Sequence, residues 1–198
     1  MGLGLNITGG NAADIVPHVR YDARAGRLFR ADRVAGADGR WTTELADISQ
    51  PAPTFIVDLA QIKVGWLAFG PTGPDHRLVP LSEALPPQPS KDHKQGFRVP
   101  LCAERLLGGV REFASTAKGV SSAMDALYDA FEAAPERGQG LVPVVRMSGT
   151  EPVTSKGPQG SSTNYRPRFE IVKWVERPAA PPTLASKAAT PRQAAAWA

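Results

Sequence analysis

A mainly β fold with one amphipathic helix is predicted by three observations. Glycine and proline contribute 19 residues each to a chain of 198, and both weaken helix interiors. Short runs of β-branched and aromatic residues recur between turn signals. Only one segment, around residues 120–131, repeats apolar residues at helical spacing. The length suffices to bury a core, and the 42% hydrophobic content is that of a globular protein.

Taken in order, Val19–Tyr21 and Arg27–Ala31 flank the loop 22–26 and read as a hairpin. Residues 35–39 form a turn before Trp41, and an irregular stretch ends at Pro51-Ala52-Pro53. Thr54–Leu59 and Gln61–Phe69 read as strands; the second alternates Ile62, Val64, Trp66, Ala68 with Lys63, Gly65, Leu67, Phe69. Residues 71–89 hold six prolines and predict an irregular excursion. Gly96–Leu101 resumes strand character. The helix begins at Ser121 or Ser122 as N-cap. Val120, Met124, Leu127, Tyr128 and Phe131 share its apolar face, Asp125, Asp129 and Glu132 face away, and Pro135 and Gly138 end it. Leu141–Met147 is a strand that Pro143 assigns to an edge or bulge. Residues 149–164 predict a long polar loop, and Phe169–Glu176 a strand. A helix inserted between strands of a small Greek-key barrel fits this order, and the OB-fold, a five-stranded barrel with extended loops, is the best-known form. A β-sandwich or an α+β sheet fits the same pattern.

One cysteine, Cys102, rules out an internal disulfide scaffold and, with three histidines, the common structural zinc sites. Cysteine usage predicts a reducing, cytoplasmic setting. No apolar run reaches the ~20 residues of a membrane helix. The N-terminus lacks the basic start and long apolar stretch of a secretion signal. The net charge is +4, but Arg177, Lys187 and Arg192 near the C-terminus supply three of those charges. Residues 1–176 carry 20 bases and 19 acids. Only local patches around 91–118 and 137–177 can attract phosphate.

Enzyme signatures are lacking. There is no Walker-type phosphate loop and no G-x-S-x-G elbow. Cys102 reads as a small core residue. His76 and His93 stand beside Asp75 and Asp92 on Pro-rich loops, the sole basis for a small hydrolase or nuclease. The expectation is no catalysis, no metal and no cofactor.

Aromatics beside bases give the more specific signal, because single strands are held by base stacking and backbone cations. The pairing occurs at Lys94–Arg98 around Phe97, at Tyr165-Arg166-Pro167-Arg168-Phe169 leading into Lys173-Trp174, and at Lys63 with Trp66. The plainer reading makes Trp66 and Trp174 core rings. Phe97 and Tyr165, beside Gly96 and a polar loop, are then the exposed pair.

The pieces Gly140–Val145, Gly149–Val153, Asn164–Ile171 and Trp174–Pro178 resemble the closing strands of phage-encoded single-stranded-DNA-binding proteins. Lys94–Arg98, Asp58-Leu59 and Val64-Gly65-Trp66 are similar to earlier pieces of that group. The resemblance spans roughly residues 19–178 in scattered segments. It implies an OB-fold that sequesters single-stranded DNA during replication or recombination, in the host cytoplasm, without catalysis or metal. The stacking candidates are Trp66, Phe97, Tyr165 and Trp174. The phosphate candidates are Lys94, Arg98, Arg146, Arg166, Arg168 and Lys173, with 149–164 closing over the strand. The expected organisation is a flexible segment 1–14, a binding domain 15–177 and a disordered Ala/Pro-rich basic tail 178–198. Many proteins of this class end in an acidic partner-recruiting tail, and this one departs from that. Replication or recombination proteins are the partners expected at the tail, and a homo-oligomer is compatible. The alternative is a phage structural or assembly protein using the same β-rich domain for protein contacts.

Overall fold

The computed structural model describes residues 17–36, 41–70, 73–157 and 160–178. The expected segment 1–14 and all but the first residue of the expected tail lie outside them. The strands are β1 (His18–Asp22), β2 (Arg27–Ala35), β3 (Trp41–Asp47), β4 (Thr54–Val57), β5 (Lys63–Gly70), β6 (Gly73–Pro80), β7 (Lys94–Ala103), β8 (Gly109–Ser115), β9 (Val142–Gly157) and β10 (Gly160–Val175). A short helix α1 (Glu104–Leu107) joins β7 to β8, and the main helix α2 (Lys118–Ala133) joins β8 to β9. The protein is therefore mainly β with one principal helix. The five-stranded barrel of the sequence reading is not what the strands draw: they form one ten-stranded mixed sheet that is not closed.

Its path runs β10-β9-β4-β7-β8-β1-β2-β3, with β5 pairing both β7 and β6. Every pairing is antiparallel except β1 with β8, where Val19 lies opposite Phe113. The main core lies on one face of this sheet, under α2, while Leu67, Val142 and Val144 are buried on the other. Val19, Leu28, Phe55, Val57, Phe97, Val99, Leu101, Phe113, Val145 and Met147 face it from the strands, and Val120, Met124, Leu127 and Phe131 from the helix. The helical periodicity read from the sequence thus identifies the buried face, but the helix starts three residues before Ser121. Its first turn is entered through Ala117, whose N–H donates to Ser115 Oγ at 3.2 Å.

Two glycines shape the bend where β5 passes from β7 to β6. Gly65 lies opposite Gly96 across the β5–β7 ladder. A Cβ on Gly65, whose φ is +155°, would sit 2.1 Å from the Arg77 carbonyl oxygen. One on Gly96 would sit 2.2 Å from that of Ser115. Both positions allow backbones to approach where no side chain fits.

Four expectations are corrected. Residues 149–164 are not a loop but the outer halves of β9 and β10, paired from Gly149 opposite Arg168 to Gly157 opposite Gly160. Residues 73–80 form β6 rather than an irregular excursion. Among the described residues this strand pairs only with β5, and its two prolines sit at an edge where no second ladder needs their missing N–H. Strands β3 and β8 occupy stretches without strand signals in the sequence reading. In β8, Arg111 breaks the apolar alternation: it is buried and donates to the carbonyls of Leu107 and Ala31 and to Asp32.

Candidate nucleic-acid interface

Strand β7 sets the geometry. Phe97, Val99 and Leu101 face the core, so Lys94, Gly96, Arg98, Pro100 and Cys102 face the other way. The ladders carry this outward face sideways. Lys63 lies opposite Arg98, and Leu67, which is buried on this side at 1% exposure, lies opposite Lys94. Phe113 faces the core on β8, which turns Glu112 outward, and Glu112 lies opposite His18 on β1. Arg20 follows His18 on the same face by alternation. On β6, His76 lies opposite Leu67. The outward face of β6-β5-β7-β8-β1 therefore gathers Lys63, Lys94, Arg98 and Arg20, with the carboxylate of Glu112 among them and that of Asp22 beyond Arg20 at the end of β1. Arg98 reaches Glu112 at 3.4 Å, whereas Lys63, Lys94 and Arg20 make no ion pair among the described residues.

Phe69 ends this face at the tip of the β5–β6 hairpin and is 61% exposed. Its ring meets the His76 imidazole edge to face, with centroids 5.7 Å apart. His76 Nε2 is buried without a hydrogen-bond partner. Burial, with the Arg98 guanidinium as the second cause, pushes the His76 pKa below its ordinary value. The imidazole is thus neutral near pH 7, a flat, uncharged ring beside an exposed phenyl.

The sequence candidates divide among several places. Phe97 is 4% exposed and packs edge to face on Phe113, so its ring is a core ring and not a stacking platform. The strand alternation that buries Phe97 is the same one that turns Lys94 and Arg98 outward. Trp66 points to the opposite face from Lys63 and is half-buried, with its indole N–H donating to the Pro86 carbonyl at 2.7 Å. It pins the Pro-rich stretch to β5. Trp174 stacks on Phe131 of α2, with centroids 5.9 Å apart, and packs against the core. Simple alternation would set Trp174 opposite Phe169 and Ile171. A bulge between Ile171 and Lys173 adds one residue and returns Trp174 to their side. Tyr165 is exposed at 36%, with one side against Gly26 in the β1–β2 turn.

The remaining arginines on the β9–β10 hairpin are already occupied. Arg146 pairs with Glu170 at 2.9 Å, and Arg166 and Arg168 share Glu151. A hydrogen bond from Arg166 holds the Glu151 carboxyl below its usual pKa, and one from Arg146 does the same for Glu170. Lys173 is exposed and makes no such pair.

The histidine and acid neighbours do not converge. Asp75 and His76 point to opposite faces of β6. His93 is buried on the Asp75 side, with Nδ1 2.9 Å from Ser90 Oγ and Nε2 3.3 Å from Asp75. Ser90 Oγ also accepts the Asp92 N–H, and the Gln88 amide donates to the His93 carbonyl. These contacts fasten a turn. Among the described residues no three metal-ligating side chains cluster. Burial raises the Cys102 thiol pKa, the opposite of a reactive thiolate.

Sequence reasoning named Lys63 only as a neighbour of Trp66 and His76 only for hydrolysis, did not name Phe69 or Arg20 for binding, and placed none of the four among the binding candidates. The signal was present for Lys63 and Phe69: they share the Lys63-Gly65-Leu67-Phe69 face of one strand. Pairing across β6 and β1, which adds the others, is not encoded in local spacing. No family model, no curated protein and no solved structure matches the chain. No helix among the described residues is long and apolar enough to cross a membrane.

Proposed function

We propose that the protein binds single-stranded DNA without strong sequence preference, along the outward face of β6-β5-β7-β8-β1, and performs no catalysis there. The carrying observation is the register that aligns Lys63, Lys94, Arg98 and Arg20 on one face with the exposed Phe69 ring at its end. Cations spaced along a strand suit a phosphate backbone, and exposed rings suit bases of any identity. Strand order supports the OB-like part of the reading. Strands β4, β7, β8 and β9 lie in the spatial order β9-β4-β7-β8, the 4-1-2-3 arrangement of a Greek key, with α2 in the long connection. In that scheme β7 and β8 are the second and third strands, and the β5–β6 and β9–β10 hairpins are the flanking loops that hold oligonucleotides in OB-folds. Replication or recombination is the setting such an activity serves.

The test is fluorescence anisotropy of a labelled oligo-dT titrated with protein at low and high salt. Binding should weaken steeply as salt rises, because captured phosphates release counterions. Absence of binding at low salt removes this reading. An assembly role is favoured by a different observation. Among the described residues strand β3 ends the sheet, pairs only with β2 and exposes Leu45, an edge on which another chain can add a strand. Large assemblies in light scattering without DNA affinity would select it.

A further inference from the structure

On the core side of β5 and β7, away from the cationic face, a groove of about 470 Å³ lies between these strands, α2 and the stretch 81–85. Ile62, Val64, Phe97 and Met124 line it. Leu81 and Leu85 form one lip and are 45% and 41% exposed. Asp125 stands on the α2 lip, and Asp129 follows one helical turn on. Neither acid makes an ion pair among the described residues. An apolar trough with a negative rim repels phosphate and suits a basic segment with an apolar anchor.

The chain carries such a segment and delivers it close by. Arg177 grips Asp58 with both ends of its guanidinium, at 2.8 and 3.1 Å. Asp58 immediately precedes the 3-10 turn Leu59–Gln61, and Ile62, the next residue, lines the groove. Residues 179–198 continue from beside this clamp. They contain Lys187, Arg192, Leu184 and Trp197 and no acid. Twenty residues can reach about 65 Å when extended, several times the path from Asp58 to Ile62.

We infer that residues 179–198 dock into this groove of their own chain, with Trp197 seated against Met124, Leu81 and Leu85 and Arg192 beside Asp125 and Asp129. Tethering sets an effective concentration on the order of millimolar, enough to populate a contact too weak for separate molecules. The groove and the cationic face lie on opposite sides of β5 and β7, so this docking stands or falls independently of DNA binding.

Paramagnetic NMR on the full chain tests it. A nitroxide is attached through Ala194→Cys in a Cys102→Ser background, and amide intensities are compared before and after reduction of the label. Docking predicts intensity loss at Ser121, Ser122, Asp125 and Leu85, reversed by Trp197→Ala and by Leu85→Asp. The exposed position of Leu85 keeps the latter variant folded, which the same spectra verify. Undiminished amides at the groove, or losses that survive Trp197→Ala, overturn the inference. So do equal losses in a mixture of isotope-labelled chains with separate nitroxide-bearing chains, because the segment would then come from a second copy.

Discussion

The Tyr21 hydroxyl donates to the backbone carbonyl of Tyr165 at 3.0 Å, while the Tyr165 N–H donates to the Ala23 carbonyl at 2.6 Å. This pair stitches the β1–β2 hairpin to β10, two parts of the sheet that no ladder joins. Tyr21→Phe deletes one bond of the stitch and should lower unfolding free energy by about 0.5–1.5 kcal/mol in urea titrations.

The same phenol predicts an alkaline limb. Burial, with Asp22 as a second cause, pushes the Tyr21 pKa up to about 12 from 10.0. A raised pKa means that the folded state favours the neutral phenol, so its contribution is complete below pH 10 and is lost as pH rises through 12. Stability measured across that window should fall in the parent protein and less steeply in Tyr21→Phe. An identical slope in both would contradict the assignment.

Phe97 and Phe69 should separate stability from binding. Phe97→Ala empties a core position and should cost about 3–5 kcal/mol of stability. Phe69→Ala removes an exposed ring, so stability should change by less than about 0.5 kcal/mol. Oligo-dT affinity should instead weaken by about 1–3 kcal/mol for one lost stacked base. Calorimetric melting and anisotropy titrations on both variants read the two effects.

Ionic-strength dependence should rank the cations. Lys63→Ala and Lys94→Ala each remove an unpaired charge, and each should reduce the slope of log K against log salt by about 0.7 for a single-stranded ligand. Arg146→Ala should change the slope less, because Glu170 already compensates that guanidinium. Equal slopes for all three variants would disconnect the β5–β7 face from binding.

Arg111 offers a test of the sheet itself. It is buried and serves the Leu107 and Ala31 carbonyls together with Asp32. Arg111→Ala removes the donor from both carbonyls and leaves Asp32 to Arg30 alone, and should cost about 1–3 kcal/mol, the range for buried acceptors left unpaired.

What the sequence disclosed follows the range of its signals. The helix was legible because Val120, Met124, Leu127 and Phe131 repeat at 3–4 spacing, and the β1–β2 hairpin because its turn residues are local. The β9–β10 arm was not. Its outer half pairs Thr154 with Thr163 and Ser155 with Ser162, polar on both faces, so no hydrophobic alternation betrays it. Phe97 was misplaced because a neighbouring glycine suggested exposure, whereas Gly96 serves a close backbone crossing with Ser115. Trp174 depended on a single-residue bulge. The outward face could not be assembled beforehand, because β1 joins β8 by a parallel pairing distant in sequence.

The shared Glu151 has a kinetic consequence. A phosphate that engages Arg166 or Arg168 meets a carboxylate that remains tethered alongside and competes for the same guanidiniums. Capture at this arm therefore gains less than at an unpaired cation, and the competing group stands ready to take the place of a departing phosphate. A ligand held there would be released quickly and could creep along the arm rather than lodge in one register.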